Sequence, residues 1–461
     1  MPELEAAVPA VPAGTVGAVT AQAVGAIEPF LEQLLNELVV EAAPRGPGRP
    51  RVLPSLALWA GVLVCLLRGA TTQCAVWRLL ARTGLWRYPR LAISDGAVYR
   101  RLAQESDPPA GQSPPLERLF SDVCALLRTR LAPLADATLA PFAHAVLAVD
   151  ETTLDQVKRW LPALRGGPAH DDRRLPGKLA GLFDLRTQLW VAVTHGSAPH
   201  RNEKATAPRL LSQVATGTLL VFDLGYFSFP WFDHLTDQGL FWVSRLRQKT
   251  SYTLCHICYQ DETTLDALVW LGAYRADRAK HLVRLVQFRL GPVRYSYLTN
   301  QTDPACFPLQ EIARVYQRRW DIELAFRLVK QYLQLRLLWS STTAVVLQQV
   351  WGVLIISQIV QALRLEIAAR AGVDVFEVSV PLLVTYVPQY LAEGQDPVAG
   401  FVQDGRRLGF IRPSRRTANR APEILASAIR PPPADLVRSR TPRYAHRRCA
   451  PALPETVEAH D

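Results

Sequence analysis

The stretch GTLLVFDLGYFSFPWFDHLTDQGLFWVSRLR, residues 217–247, contains the pattern that decides the fold class. A short apolar run at 219–222 ends in an aspartate, and a helical pattern follows near 229–238. A second apolar run then begins at Leu240. Strands that alternate with helices are typical of a mixed α/β sheet. We therefore expect an α/β fold in this part of the chain.

Upstream, HAVLAVDETTL (residues 144–154) repeats the arrangement, because its apolar run ends in Asp150 as the later run ends in Asp223. The following LAGLFDLRTQLWVAVTHG reads as two strands with a turn at 186–188. In α/β sheets, ligands bind beyond the carboxyl ends of the strands. Taken singly, either aspartate is better explained as a strand cap or a turn residue. Taken together, they indicate a pair of carboxylates at one edge of a sheet.

A third carboxylate lies in the helical pattern YQRRWDIELAFRLVK, residues 316–330. At about 100° per residue, Tyr316, Arg319, Glu323 and Lys330 fall in one stripe about 60° wide, beside the apolar stripe of the helix. Arginine and lysine can hold a phosphate, and tyrosine can donate a hydrogen bond to it. The stripe is what a helix needs to grip a nucleic-acid backbone while it offers one metal ligand.

Convergent carboxylates repel one another unless a cation neutralises them. Oxygen ligands alone favour Mg²⁺ or Mn²⁺ over zinc. A pair of such ions suits in-line displacement at phosphorus. The helix pattern favours this interpretation over isolated caps, because in a chain of this length it arises by chance only about a few times in a thousand.

The pattern Y-x2-R-x3-E-x6-K resembles the signature of bacterial DDE transposases of the insertion-sequence-four type. AVDETTL is similar to the first-aspartate motif of that family, with Glu151 where glycine is usual. VFDLGYFS is similar to the second motif, FWVSRLR to the strand after it, and YLTN to the end of the family's β-insertion. The resemblance covers about residues 145–350.

The resemblance implies a ribonuclease H-like core interrupted by a β-rich insertion. It implies catalytic, metal-binding carboxylates at Asp150, Asp223 and Glu323, holding two Mg²⁺ ions for which Mn²⁺ can substitute. It implies DNA-phosphate contacts at Tyr316, Arg319 and Lys330. The implied partners are terminal inverted repeats and target DNA, bound by a homodimer on paired DNA ends.

One further DNA contact is implied at Tyr295. In relatives that flip a base, a tryptophan of the insertion stacks on that base, and Tyr295 in RYSYLTN occupies the corresponding place. A base stacked on an aromatic ring contributes roughly 1–3 kcal/mol. Two alternatives stay open. Tyr295 could pack beneath the hairpin with Tyr297 on the same face, or Trp270 could be the stacking residue.

Outside the core, the chain begins with a predicted helix near 27–40 and a Pro/Gly-rich segment at 44–54 that contains Gly48-Arg49-Pro50. Such a segment suits either the DNA minor groove or a plain basic linker. Short helical patterns at 55–67, 72–82 and 94–102 are consistent with a helix-turn-helix module or with any small bundle. The net charge is +11, and residues 406–448 hold twelve arginines against Glu423 and Asp435. That excess suits a polyanion or a solvated tail.

These patterns divide the chain into an N-terminal helix with a basic linker, a helical DNA-binding region, the first part of the core, the β-rich insertion, the second part of the core and a basic C-terminal tail. The expected boundaries are 1–54, 55–140, 141–247, 248–305, 306–371 and 372–461.

Cysteine usage and hydropathy indicate a cytoplasmic protein. The seven cysteines form no disulfide framework, and no signal peptide pattern is seen. Cys255 and Cys258 make one isolated CxxC, a weak zinc signal that also fits a strand face. The apolar stretch 344–365 contains several glutamines, which favours a buried helix over a membrane span.

Three functions are compatible with these features. The first is a cut-and-paste DNA transposase that hydrolyses transposon ends and transfers the 3′-OH to target DNA. The second is a metal-dependent nuclease on the same core, without strand transfer. The third is a non-catalytic DNA-binding protein. The presence of Asp150, Asp223 and Glu323 argues against it, since binding to phosphates needs no carboxylates.

Overall fold

The computed structural model describes residues 52–85, 88–108, 112–154, 177–196, 207–212, 214–273, 277–333, 335, 339–340, 342–414, 416 and 420–444. The predicted helix near 27–40 and Gly48-Arg49-Pro50 lie outside these residues.

One nine-stranded sheet runs through the described part of the chain, in the order β3-β2-β1-β4-β5-β9-β8-β7-β6. Its strands are β1 Val146–Thr153, β2 Lys178–Asp184, β3 Leu189–Gly196, β4 Leu219–Phe222, β5 Phe241–Arg245, β6 Tyr252–Gln260, β7 Thr264–Leu271, β8 Leu282–Leu290 and β9 Val293–Thr299. Strand β4 pairs in parallel with β1 and β5, and the other pairings are antiparallel. The expected mixed α/β class is confirmed.

The helices pack against strands of this sheet and against one another. They are α1 Ser55–Leu67, α2 Cys74–Arg78, α3 Asp95–Ser106, α4 Pro115–Leu131, α5 Ala207–Leu211, α6 Phe229–Asp237, α7 Leu309–Arg318, α8 Trp320–Arg327, α9 Thr343–Ala371, α10 Val380–Ala392 and α11 Pro397–Asp404. Two π-helical turns, Leu79–Thr83 and Leu328–Tyr332, continue α2 and α8. The helix predicted at 55–67 is observed with those bounds.

Helix α6 makes β4 and β5 parallel, because it carries the chain back across the sheet between them. The Ser228 side chain caps its first turn. Its Phe232 ring stacks on Trp242 of β5, with ring centres 4.2 Å apart. The helix stops before Gly239, whose φ of 68° suits a residue without a side chain.

The β-rich insertion extends the core sheet and does not form a separate one. Strand β9 pairs with β5, and Val243 lies opposite Thr299. Inside the insertion, the Arg284 guanidinium is fully buried and holds both carboxylate oxygens of Asp266. The same guanidinium donates to the Phe307 carbonyl oxygen at 2.6 Å, just before α7 begins. This pair therefore fixes the insertion relative to the helix that follows it.

Helix α9 is the centre of the helical layer. By length and apolarity alone it could cross a membrane, yet 83% of its most apolar window is buried inside the protein. Its glutamines serve internal contacts. Gln358 accepts from the Trp190 N–H at 2.8 Å and donates to the Trp190 carbonyl at 3.0 Å, which satisfies the outer edge of β3.

The N-terminal helices pack directly on α9. Gln348 accepts the Leu116 N–H at 2.9 Å, and the rings of Phe120 and Trp351 lie 5.6 Å apart. A Cβ at Gly352 would meet the Leu66 side chain at 2.5 Å, so α1 and α9 approach closely only because this residue is glycine. The N-terminal helical region thus shares its core with the sheet domain.

The C-terminal region is partly folded onto the rest of the protein. After α10 and α11 it runs along the insertion, where the Arg430 N–H donates to the Cys258 carbonyl at 2.8 Å. Arg440 N–H donates to the Lys280 carbonyl at 2.8 Å. The Arg440 guanidinium also donates to the Ala279 and Leu271 carbonyls, at 3.0 and 2.7 Å, so this arginine of the region has partners within the chain.

Candidate active site

The parallel pairing of β1 and β4 brings two predicted carboxylates together. Val149 lies opposite Phe222 in the register, so Asp150 and Asp223 are the next residues on neighbouring strands. Asp150 Oδ1 accepts the Glu151 N–H at 2.8 Å. Asp223 Oδ1 accepts the Gly225 N–H at 2.8 Å and caps the short turn after β4. Asp223 directly follows β4, whereas Asp150 lies inside β1, which continues to Thr153, so the expectation that Asp150 ends its strand is wrong. The register still makes the two aspartates neighbours.

Glu323 reaches the same edge because α8 packs closely on β1 and β2. A Cβ at Gly181 of β2 would lie 2.7 Å from the Trp190 ring and 3.3 Å from the Phe326 ring. The Trp190 and Phe326 rings themselves pack with centres 4.9 Å apart. Glycine at 181 therefore leaves room for the aromatic contact that seats α8 on the sheet.

The Arg319 guanidinium joins two of the carboxylates. Its Nη2 donates to Glu323 Oε1 at 2.7 Å, and its Nη1 lies 3.6 Å from Asp150 Oδ2. Helices α7 and α8 continue through this residue, with φ of −52° and ψ of −33°. Among the residues that the structure describes, no group of three His, Cys, Asp or Glu side chains is close enough to hold a metal ion. The positive charge between Asp150 and Glu323 belongs to the arginine.

The three carboxylates act on one another electrostatically. Burial raises the pKa of Asp150 to about 7, and the negative charges of Asp223 and Glu323 raise it as well. The Glu151 backbone N–H and the Arg319 guanidinium oppose this rise. Such a shift is typical of a site whose charges await a cation or a proton.

Tyr316 and Lys330 border this cluster. The side chain of Tyr316 is buried against Tyr297, with ring centres 4.9 Å apart, and burial raises its pKa to about 12, so the phenol keeps its proton. Lys330 Nζ donates to the Thr153 carbonyl of β1 at 2.9 Å, and burial lowers its pKa to about 8. The predicted stripe brings Tyr316, Arg319 and Glu323 together. Lys330 lies in the π-helical turn Leu328–Tyr332, where the ideal helical phase no longer applies.

Glu151, the departure from the family motif, does not add an unbalanced charge to the site. Its Oε2 lies 3.2 Å from Lys178 Nζ on β2. Since successive side chains of a strand point to opposite faces, Glu151 and Asp150 diverge.

Tyr295 belongs to an aromatic row that ends at the helix carrying the site. Its ring stacks on Phe288 at 5.2 Å and lies 6.5 Å from Tyr297, which in turn contacts Tyr316. Tyr295 and Tyr297 share a face of β9, and Tyr295 remains half-buried. Trp270 is not part of this row. The Arg440 guanidinium packs over its ring, with the guanidinium carbon 4.6 Å from the ring centre.

Sequence reasoning missed Trp320, which is 56% exposed. The centre of its ring lies 5.1 Å from the guanidinium carbon of Arg319. A tryptophan outside the apolar stripe of an amphipathic helix is the signal that could have identified it.

The weak zinc signal from Cys255 and Cys258 finds no support in the described residues. Cys255 is exposed, Cys258 is buried, and His256 contacts the Arg430 carbonyl.

Residues 141–359 match the family model of the transposase DDE domain. The chain is 27% identical over 202 residues to transposase InsG for insertion sequence element IS4 of Escherichia coli (strain K12), covering 41% of this chain and 45% of that protein. It is 30% identical over 179 residues to putative transposase y4zB of Sinorhizobium fredii, covering 37% and 47%.

The chain thus spans less than half the length of these two curated relatives. A piggyBac transposase synaptic complex with hairpin DNA aligns over 88% of each chain, with 12% identity and a TM-score of only 0.36. The family model and the two curated relatives together show that residues 141–359 are similar to the transposase DDE domain, and that the chain resembles a transposase of insertion sequence element IS4.

Proposed function

We propose that the protein is a cut-and-paste DNA transposase. It would hydrolyse phosphodiester bonds at transposon ends and then transfer the 3′-OH to target DNA. The observation that carries the proposal is the meeting of Asp150 and Asp223 on adjacent parallel strands, with Glu323 held to Asp150 through Arg319. A protein that only bound DNA would gain nothing from carboxylates at that position.

The strand order supports a ribonuclease H-like core. Three antiparallel strands, β3-β2-β1, are followed by the parallel strands β4 and β5, and α8 lies across β1 and β2. Strands β6 to β9 would then be the insertion between the second aspartate and the glutamate. We infer the same division into regions as from the sequence, with DNA recognition assigned to 55–140.

Asp150, Asp223 and Glu323 would hold the divalent cations. Their donor set is oxygen only, which fits Mg²⁺, with Mn²⁺ as a substitute. Two such ions, when bound, activate the attacking oxygen and stabilise the leaving oxygen. Because burial raises the pKa of Asp150 to about 7, its carboxyl group must release a proton to act as a ligand.

The surrounding side chains would bind and orient the DNA backbone. Arg319 presents a fork of donors that suits a phosphate. Tyr316 stays protonated and can donate a hydrogen bond. Lys330, anchored on the Thr153 carbonyl, supplies a point charge beside β1. Terminal repeats and target DNA would be the partners, bound by a homodimer on paired ends.

Tyr295 is proposed as the residue on which a flipped base stacks. With a hairpin-forming DNA end, we expect Tyr295→Ala to slow hairpin formation about tenfold to a hundredfold, because base stacking is worth roughly 1–3 kcal/mol. First-strand nicking should stay near the wild-type rate. Tyr295→Trp should keep activity. Unchanged hairpin formation by the alanine variant would remove this role, as would a reaction without any hairpin.

Helix α3 offers a basic exposed face for DNA recognition. Tyr99 and Arg100 are exposed, whereas Arg101 lies 2.5 Å from Glu105. We expect Arg100→Gln to weaken binding to DNA ends and to lower the slope of log affinity against log salt by about one, since one phosphate contact is lost.

Arg101→Gln is the matched control, because its charge is already paired within the helix. A titration of labelled DNA at several salt concentrations measures both variants. Equal slopes for wild type and Arg100→Gln would exclude this face of α3 from the DNA interface.

A further inference from the structure

We propose that Arg416, from the C-terminal region, is a positioning residue for the helix that carries Arg319 and Glu323. It would act through the buried carboxylate of Asp321. The inference rests on the proposed function for the role of Glu323. Arg416 lies outside residues 141–359, which match the transposase domain. The C-terminal region would thereby contribute to catalysis besides any contact with DNA.

Asp321 is the anchor point on the helix. It is 1% exposed and lies in the first turn of α8, between the two residues that face the site. Residues two positions apart in a helix differ by about 200°, so Asp321 leaves the helix on the side away from Glu323. A buried carboxylate is tolerated only where it is paired.

Each oxygen of that carboxylate has a partner, and the partners come from different parts of the chain. Oδ2 accepts from Arg318 Nε at 2.7 Å and from Gln188 Nε2 at 2.9 Å. Arg318 is the last residue of α7, and Gln188 lies in the turn between β2 and β3. Oδ1 accepts from Arg416 Nη2. The C-terminal contact is therefore the partner of Oδ1, and it spans 95 residues of sequence.

The Arg416 guanidinium is also held from a second direction. Its central carbon lies 3.4 Å from the centre of the Phe376 ring, so it stacks on the ring while pairing with Asp321. Arg318 and Arg364 lie on the same ring at 4.6 and 5.2 Å. The main chain before Phe376 is fixed by its N–H, which donates to Asp374 Oδ1 at 2.7 Å.

This arrangement fixes the rotation of α8 where Arg319 and Glu323 leave it. Phe326 seats the helix further along, on Trp190. Without Arg416, Asp321 would keep Arg318 and Gln188, so the helix should stay folded. It would keep a link to Phe376 through Arg318, but it would lose the direct contact with the chain that follows α11. Small misplacements of catalytic groups cost large factors in rate.

The test compares Arg416→Met with Arg420→Met in the full chain. Arg420 is an exposed arginine of the same region, so both variants lose one positive charge. We expect Arg416→Met to slow single-turnover cleavage at saturating DNA about tenfold to a hundredfold, whereas Arg420→Met stays near wild type. DNA affinity should change equally in both.

Arg416→Lys keeps the charge but not the planar fork, and it should recover part of the rate. Were Arg416→Met too poorly folded to measure, the lysine variant alone would serve, with an expected loss of rate greater than that of Arg420→Met. Equal cleavage rates for the Arg416 and Arg420 variants would overturn the proposal.

Amide hydrogen exchange in residues 320–327 separates this proposal from the proposed function. We expect Arg416→Met to speed exchange there about tenfold or more, with no change in α6. Unchanged exchange would overturn the positioning role even if cleavage fell. Faster exchange in a protein whose wild type cuts no DNA would support the anchor and reject only the transposase activity.

Discussion

Glu323→Gln is expected to reduce cleavage of DNA ends by about a thousandfold or more, while binding to those ends persists. Glutamine keeps the volume of the side chain and an oxygen that can still accept from Arg319 Nη2. It removes the negative charge that a divalent cation requires. Asp150→Asn and Asp223→Asn should give the same result, because two remaining carboxylates hold a pair of ions poorly.

The control for this series is Glu262→Gln, which removes one exposed carboxylate from the insertion. Its cleavage rate should match wild type within about twofold, as expected of a surface change away from the site. Cleavage is measured as single-turnover nicking of labelled DNA in Mg²⁺, and binding is measured in Ca²⁺. A normal cleavage rate for Glu323→Gln would remove Glu323 from the site.

Arg284→Met is expected to destabilise the folded chain by about 3–5 kcal/mol, because it leaves the Asp266 carboxylate buried without its partner. The two side chains form a double contact, at 2.7 and 2.6 Å, and both are buried. The measurement is the free energy of unfolding from a denaturant titration.

The double variant Asp266→Val/Arg284→Met separates charge burial from packing. It leaves no buried charge, so it should recover roughly half or more of the lost stability. The Phe307 carbonyl, which accepts from Arg284 at 2.6 Å, would still lack a partner and limit the recovery. A double variant as unstable as Arg284→Met would show that packing, not the unpaired carboxylate, causes the loss.

The sequence allowed the sheet edge to be predicted because the apolar runs before Asp150 and Asp223 end at the residues that the register brings side by side. It allowed the clustering of Tyr316, Arg319 and Glu323 to be predicted because α7 and α8 continue without a break in phase. These are local patterns, and side-chain periodicity reports them directly.

Other features depend on contacts that no local pattern encodes. The π-helical turn Leu328–Tyr332 changes the phase at Lys330, although neither glycine nor proline marks it. The sequence pattern shows Arg319 and Arg416 only as cations. In the structure Arg319 pairs with Asp150 and Glu323, and Arg416 pairs with Asp321 across 95 residues of chain. Sequence likewise gave no reason to expect that β9 would pair with β5 and join the insertion to the core sheet.

Strand transfer tests the central claim most directly. The full chain would be given Mg²⁺, a supercoiled target plasmid and a pre-cleaved DNA end with a free 3′-OH, taken from the sequence beside its own reading frame. We predict covalent joining of that 3′-OH to the plasmid, and loss of the joined product with Glu323→Gln. DNA that is cut but never joined under these conditions would contradict the transposase and favour a nuclease on the same core.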